Sequence, residues 1–235
     1  MELPQIMDSI SLTIDYDFLC NALRVKADSE AAERLAKIVV EAHKVACPKA
    51  AYREVKIQRF TEDGILIDDV QFRSHLLVTN LTSATKLYAF VATCGTELEA
   101  WAKTFSSDLL ESFWTDTIMN LALGAAIGAL ENKFKSLCEE QPLSSMHPGS
   151  LEDWPITEQQ PLFRILAQAP ADIGVALTES YLLLPLKSIS GIYFNSQQQF
   201  CNCQLCPREK CPGRRAPRID NQLLSLDRSS QLEAS

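Results

Sequence analysis

Two stretches of the chain decide its fold: residues 147–155, which read HPGSLEDWP, and residues 173–191, which read IGVALTESYLLLPLKSISG. The first lies within 141–161, a segment interrupted by four prolines. A segment of this length without regular structure is uncommon in a compact domain and tends to be functional. The second begins with the apolar run 173–177 and ends within the segment 188–194, and we interpret both segments as strands. We therefore expect a functional loop followed by two strands.

The preceding half of the chain predicts helices and antiparallel strands. Ser29 stands before an acidic first turn, and apolar residues then recur at helical spacing until Pro48 stops the pattern. Strand-like segments follow at 52–60, 65–67, 75–78 and 86–93, and further helices are expected near 97, at 108–138 and at 162–168. The connections between the strands are too short for helical crossovers. The predicted fold is therefore α+β, with long helices packed on an antiparallel sheet.

Composition excludes several classes of function. The chain has 235 residues and a net charge of −8, whereas sequence-independent nucleic-acid binding requires a basic surface. The most apolar run, 118–130, is 13 residues long, and a membrane-spanning helix needs roughly 20. The opening residues lack the basic region and apolar stretch of a signal peptide. We expect no nucleic-acid partner, no membrane partner and a cytoplasmic location.

Eight cysteines form two groups. Four are scattered singly and are interpreted as small buried residues: Cys20, Cys47, Cys94 and Cys138. Cys94 precedes a glycine at a predicted strand-to-helix turn, but no Cys-His signature accompanies it, so no catalytic residue is assigned. The other four lie close together and are interpreted as metal ligands: Cys201, Cys203, Cys206 and Cys211. Their compact spacing favours an iron–sulfur cluster of the four-iron type, with zinc and a metal-free loop as alternatives.

The two quoted stretches resemble the activation domain of cobalamin-dependent methionine synthase in a short, stand-alone form. The resemblance extends over about 25–215, and its specific part is 147–191. It implies a domain that binds S-adenosylmethionine and presents the methyl group to a corrinoid whose cobalt has been oxidised. No cobalamin-carrying module occurs within these 235 residues, so we expect the corrinoid on a partner methionine synthase or methyltransferase.

The same resemblance assigns the ligand-binding segment to five residues around the proline-glycine turn: Ser145, His147, Pro148, Gly149 and Ser150. In the family an arginine three residues before the proline meets the ligand's carboxylate, and a tyrosine follows the glycine. Here Ser145 and Ser150 occupy these two positions. Loss of a bidentate, charge-assisted contact predicts weak S-adenosylmethionine binding. Arg164 and His147 are the candidate substitutes.

The predicted organisation has three parts. Residues 1–200 form the activation-domain-like unit, 201–218 a cysteine-rich metal loop and 219–235 a poorly ordered polar tail. The first functional hypothesis is an accessory protein that reactivates a corrinoid methyltransferase in trans. The second is an iron–sulfur protein that passes electrons from a donor to a corrinoid, with a vestigial ligand pocket. The third is an assembly module stabilised by zinc.

Overall fold

The structure, a computed structural model, describes residues 3–138, 142–196, 200–210, 214 and 216–218. Its strands are β1 (Gln5–Met7), β2 (Lys49–Glu54), β3 (Ile57–Thr61), β4 (Gly64–Ile67), β5 (Val70–Arg73), β6 (Leu87–Thr93), β7 (Leu143–Met146), β8 (Ala176–Leu177), β9 (Leu183–Leu184) and β10 (Ser188–Asn195). Its α-helices are α1 (Tyr16–Leu23), α2 (Glu30–Val45), α3 (His75–Leu81), α4 (Thr96–Lys103), α5 (Leu109–Leu137), α6 (Gln159–Leu166) and α7 (Ala169–Asp172). The predicted tail, 219–235, lies outside the described residues.

The central sheet has five strands in the order β1-β2-β6-β10-β7, and every neighbouring pair is antiparallel. Strand β6 lies in the middle and is buried along its whole length. Strand β7 is the last strand on one side of the sheet and pairs with β10; its other side carries one isolated bridge, from Ser145 to Cys201. The predicted fold class, α+β with an antiparallel sheet, is confirmed.

Helices cover both faces of this sheet. On one face α5 packs against Tyr88, Phe90 and Tyr193, which point the same way because side chains alternate along a strand. On the opposite face α6 and α7 pack against residues of β2, β6 and β10, such as Val91 and Ile192. The α5 face of the sheet is the side on which the candidate site lies.

Helix α5 begins where the sequence predicts. The Asp108 carboxylate accepts hydrogen bonds from the backbone N–H groups of Leu110 and Glu111, which caps the first turn. The buried residues of the helix recur at four-residue spacing and form one stripe: Trp114, Ile118, Ala122, Ala126, Leu130 and Phe134. Within the described residues α5 is the one helix with the length and composition to span a membrane, a property it shares with core helices of soluble proteins.

Two glycines of α5, Gly124 and Gly128, do not serve close packing. A Cβ built on Gly124 or Gly128 would meet nothing within 4 Å. These two glycines therefore lie off the buried stripe, which includes the small residues Ala122 and Ala126.

Residues 75–78 were expected as a strand and are instead the start of α3. Ser74 caps this helix, since its Oγ accepts a hydrogen bond of 3.0 Å from the Leu77 N–H. The helix lies against a three-stranded sheet, β3-β4-β5, in which β3 and β4 form a hairpin that turns at Asp63-Gly64. This small sheet supports the loop that carries residues 147–155.

Candidate ligand-binding site

The site is built on the edge strand β7 and its neighbour β10. Ser145 lies directly opposite Tyr193 in this pair. The strands approach closely at Gly191, where a Cβ would come within 2.3 Å of the Met146 carbonyl oxygen and 2.8 Å of His147 Nδ1. Only a glycine fits this position without displacing β7. The sequence Ser-Gly at 190–191 thus positions Ser145.

His147 continues the chain from β7 and is held by two hydrogen bonds. Its Nδ1 lies 3.0 Å from the carbonyl oxygen of Ser190, which can only accept, so Nδ1 carries a proton. Its Nε2 lies 3.3 Å from Ser145 Oγ. The ring also meets Phe90 edge-on at 5.7 Å between centroids. His147 therefore orients Ser145 and is itself fixed by the sheet.

The proline-glycine turn follows and is closed by its own backbone. The Gly149 N–H donates a 2.7 Å hydrogen bond to the Trp154 carbonyl, and Gly149 has a φ of 81°, a conformation that favours glycine. Pro148 is buried, whereas Gly149 and Ser150 are exposed. The turn thus presents backbone and a small hydroxyl to solvent.

Asp153 and Trp154 anchor this loop to the rest of the domain. The Asp153 carboxylate accepts hydrogen bonds from Ser74 Oγ at 2.6 Å and from the Leu76 N–H at 2.8 Å, which join the loop to α3. The Trp154 ring is buried and meets Phe72 of β5 edge-on. Asp153 and Trp154 therefore have a structural role, and they fix the position of the turn.

A pocket of about 300 Å³ opens beside Ser145. Its walls come from α5, β7, β10 and the cysteine-rich loop, through Glu131, Lys135, Leu143, Ser145, Tyr193, Phe200, Cys201, Gln204 and Ala216. The volume lies at the lower end of the range for small-molecule sites. Aromatic side chains, hydroxyls and charges of both signs meet there, so the pocket suits a zwitterionic ligand that also carries a flat ring.

The aromatic wall of the pocket is rigid. Tyr193 is buried and stacks obliquely on Phe90, with ring centroids 4.5 Å apart, and on Phe134 of α5 at 5.1 Å. Its hydroxyl donates a 3.4 Å hydrogen bond to Glu131 Oε1. Tyr193 thus links the sheet to the charged end of α5.

The cysteine-rich loop forms the opposite wall, which the sequence did not predict. Phe200 N–H donates a 2.7 Å hydrogen bond to Ser144 Oγ, and Cys201 forms an isolated parallel bridge with Ser145. The Arg214 guanidinium holds the loop together by donating to the carbonyl oxygens of Cys203, Cys206, Arg208, Glu209 and Ala216. The loop that carries the cysteines therefore lies against the site assigned to the ligand.

The described cysteines of this loop do not form a ligand set. Within the described residues no three Cys, His, Asp or Glu side chains come together to hold a metal ion, and Cys211 lies outside that part of the chain. Arg214, the arginine nearest to these cysteines in the loop's hydrogen bonds, binds backbone carbonyls. The four-thiolate donor set suits an iron–sulfur cluster chemically, but Cys201, Cys203 and Cys206 are not gathered as three ligands of one metal site.

The Cys94 thiol has low reactivity. Its side chain is fully buried, and burial, with a contribution from Glu99, raises the pKa of its thiol to about 12. A thiol with this pKa stays protonated at neutral pH and is a poor nucleophile. Cys20 and Cys138 are also buried, as the sequence predicts, whereas Cys47, which was expected to be buried, is half-buried.

The predicted ligand residues have different positions relative to the pocket. Ser145 lines it, His147 and Pro148 are not among the residues that line it, and Gly149 and Ser150 lie on the exposed turn. Sequence reasoning missed Tyr193 and the two charged residues of α5. Tyr193 follows the quoted stretch 173–191 by two positions, so the signature itself could have included it. Glu131 and Lys135 give no local signal, because only the packing of α5 brings them to the site.

Comparison with known proteins agrees with this architecture. The fold is similar to the crystal structure described as the MetH reactivation domain bound to AdoHcy, with a TM-score of 0.59 and 20% sequence identity over 86% of this chain and 82% of that chain. Residues 150–211 match the family described as vitamin B12 dependent methionine synthase, activation domain. The resemblance read from the two quoted stretches is therefore confirmed. A comparison with curated proteins found no match.

Proposed function

We propose that the chain binds S-adenosylmethionine and its product S-adenosylhomocysteine (AdoHcy) in the pocket beside Ser145. The supporting observation is the pocket itself: it lies at the strand that carries the family's ligand position, in a fold similar to a domain solved with AdoHcy. Both ligands are zwitterionic amino acids attached to a flat adenosine. Tyr193 and Phe200 offer aromatic surface, while Glu131 and Lys135 offer charge.

Ser145 makes the proposed binding weak. A serine hydroxyl replaces a guanidinium that would grip the ligand's carboxylate with two parallel hydrogen bonds, and the hydroxyl already contacts His147. Replacing a charge-assisted hydrogen bond by a neutral one costs about 1 kcal/mol or more. We therefore expect dissociation constants above the low micromolar range for the unmodified chain.

We further propose that the chain reactivates a corrinoid methyltransferase in trans, in the cytoplasm. A corrinoid bound to the partner would supply the cobalt that accepts the methyl group, after an electron donor has reduced it. The chain's own part would be to bind S-adenosylmethionine and hold its sulfonium methyl group toward the partner. The resulting complex should be weak and should favour the oxidised cobalt, which is the state that needs reactivation.

Calorimetry and partner binding test these proposals separately. The full chain is titrated with AdoHcy and with S-adenosylmethionine, and heat that saturates at one ligand per chain is expected. Sedimentation at low salt with a corrinoid-loaded methionine synthase lacking its own activation domain should show association. Absence of ligand binding at millimolar concentration contradicts the ligand proposal, and absence of any complex contradicts action in trans.

A second proposal concerns the cysteines. We propose that one iron–sulfur cluster is bound by Cys201, Cys203, Cys206 and Cys211. Through this cluster the chain would pass electrons to a corrinoid. The remaining alternative is an assembly module stabilised by zinc. The donor set and its compact spacing support this proposal. Because the described thiols are not arranged as ligands, cluster binding requires the carbonyl contacts of Arg214 to rearrange.

Metal and sulfide analysis after anaerobic purification tests this second proposal. Iron and sulfide in equal amounts, with broad absorption near ~400 nm, are expected for a cluster. One colourless zinc per chain would make the loop structural and remove the electron-transfer proposal. A preparation that lacks both metals would contradict both metal assignments.

A further inference from the structure

Lys135 occupies an unusual position at the end of α5. Its side chain lines the pocket across from the edge strand that carries Ser145. It is exposed, and within the described part of the chain it forms no ion pair with any acidic side chain. A lysine ammonium beside a pocket, bound to no carboxylate among the described residues, is available to a ligand's anion.

The sequence offers Arg164 and His147 as replacements for the arginine, but neither is placed to bind the ligand's carboxylate. Arg164 belongs to α6, which packs on the opposite face of the sheet, and Arg164 does not line the pocket. His147 lies on the correct face, but both of its ring nitrogens already contact the protein, at Ser190 O and Ser145 Oγ. Among the described residues that line the pocket, Lys135 is the cation.

The charges of α5 match an amino acid. Glu131 and Lys135 lie one helical turn apart on the same side of the helix. Glu131 Oε1 accepts a 3.4 Å hydrogen bond from the Tyr193 hydroxyl, and both residues line the pocket. A ligand with an ammonium and a carboxylate a few ångströms apart can place one near each of these groups. A ligand without the amino-acid portion gains nothing from them.

We propose that the Lys135 ammonium binds the carboxylate of the amino-acid portion of AdoHcy and S-adenosylmethionine, in place of the arginine that Ser145 has replaced. This inference rests on the proposed ligand function and assigns the specificity of that site. The charge of lysine lies on one ammonium group at the end of a flexible side chain, whereas the planar guanidinium of arginine can donate two parallel hydrogen bonds to a carboxylate. Its contact is therefore weaker and, at this exposed position, sensitive to salt.

The test compares two lysines and two ligands in the full chain. Lys135→Gln removes the charge at the pocket, and Lys133→Gln is the matched control, because Lys133 is also exposed on α5 but lines a different concavity near Tyr52. AdoHcy carries the amino-acid portion, whereas 5′-methylthioadenosine lacks it. Lys135→Gln should weaken AdoHcy binding by roughly three- to tenfold, as expected for loss of one partly screened charged contact. Methylthioadenosine binding should not change.

Two further results support the assignment. Lys135→Arg should bind AdoHcy at least as tightly as the unmodified chain, because arginine keeps the charge and adds a second donor. Lys133→Gln should bind both ligands like the unmodified chain. The loss of AdoHcy affinity caused by Lys135→Gln should also be smaller in 500 mM salt than in 50 mM salt, because salt screens the exposed charge.

The failures are distinguishable. If Lys135→Gln binds AdoHcy as tightly as the unmodified chain, the Lys135 assignment is wrong while the pocket remains. Binding of methylthioadenosine without AdoHcy by the unmodified chain also overturns it. If the unmodified chain binds neither ligand, the proposed ligand function fails, and the Lys135 assignment fails with it.

Discussion

Gly191→Ala tests whether the close approach of β7 to β10 builds the site. The added methyl group would lie 2.3 Å from the Met146 carbonyl oxygen and 2.8 Å from His147 Nδ1. Both contacts are shorter than any relaxed Cβ contact, and the first involves backbone, so β7 itself must shift. Overpacking of this kind costs about 1–3 kcal/mol. The change should therefore lower stability and displace Ser145.

Gly124→Ala is the matched control. The same methyl group on the outward face of α5 meets nothing within 4 Å. An alanine inside a helix is favoured over glycine by about 0.5–1 kcal/mol. One chemical change should therefore stabilise the chain at Gly124 and destabilise it at Gly191.

Urea and thermal unfolding, together with AdoHcy titration, measure both effects. For a domain of this size about 1 kcal/mol shifts the melting temperature by roughly 2–4 °C. We expect Gly191→Ala to lower the melting temperature by roughly 2–12 °C and to weaken AdoHcy binding. Gly124→Ala should raise the melting temperature by up to roughly 4 °C without affecting binding. Equal stability of Gly191→Ala and the unmodified chain would refute the packing argument.

Three further predictions follow from the site. Ser145→Arg should tighten AdoHcy binding by tenfold or more, as a charge-assisted bidentate contact replaces a hydroxyl, and unchanged affinity in calorimetry would count against the position of β7 at the ligand. Cys94 should react with a thiol reagent at pH 8 far more slowly in the folded chain than half-buried Cys47, because its pKa of about 12 leaves little thiolate; equal rates by mass spectrometry would contradict its burial. Single serine replacements should abolish visible absorption near ~400 nm only at the clustered positions Cys201, Cys203, Cys206 and Cys211, whereas loss at a scattered position would contradict the ligand assignment.

Sequence predicts the long helices and the central strands because their signals are local. Helix α2 follows its Ser29 cap and α5 its Asp108 cap, and β6 and β10 appear where continuous apolar runs occur. Residues 75–78 show the limit of this reasoning. Their apolar run suits either a strand or a helix, and the choice depends on Ser74 and on Asp153, which is 79 residues away from Ser74 in sequence.

The candidate site is only partly predictable for the same reason. Ser145 could be assigned because it belongs to a contiguous signature, yet its strand β7 was hidden in a proline-rich segment that sequence reads as a loop. Lys135 could not be found, since it stands ten residues before Ser145 and reaches the pocket only through the packing of α5 on the sheet. The contact between the cysteine-rich loop and Ser145 is likewise a product of the fold.

Transfer of a labelled methyl group tests the central claim most directly. S-adenosylmethionine with a radiolabelled methyl group is incubated with a reductant and an oxidised, corrinoid-loaded methionine synthase that lacks its own activation domain, with and without the full chain. We predict that label reaches the corrinoid protein only when the chain is present, and less of it with Lys135→Gln. Label at the same level without the chain, or none with it despite measurable S-adenosylmethionine binding, would contradict the account.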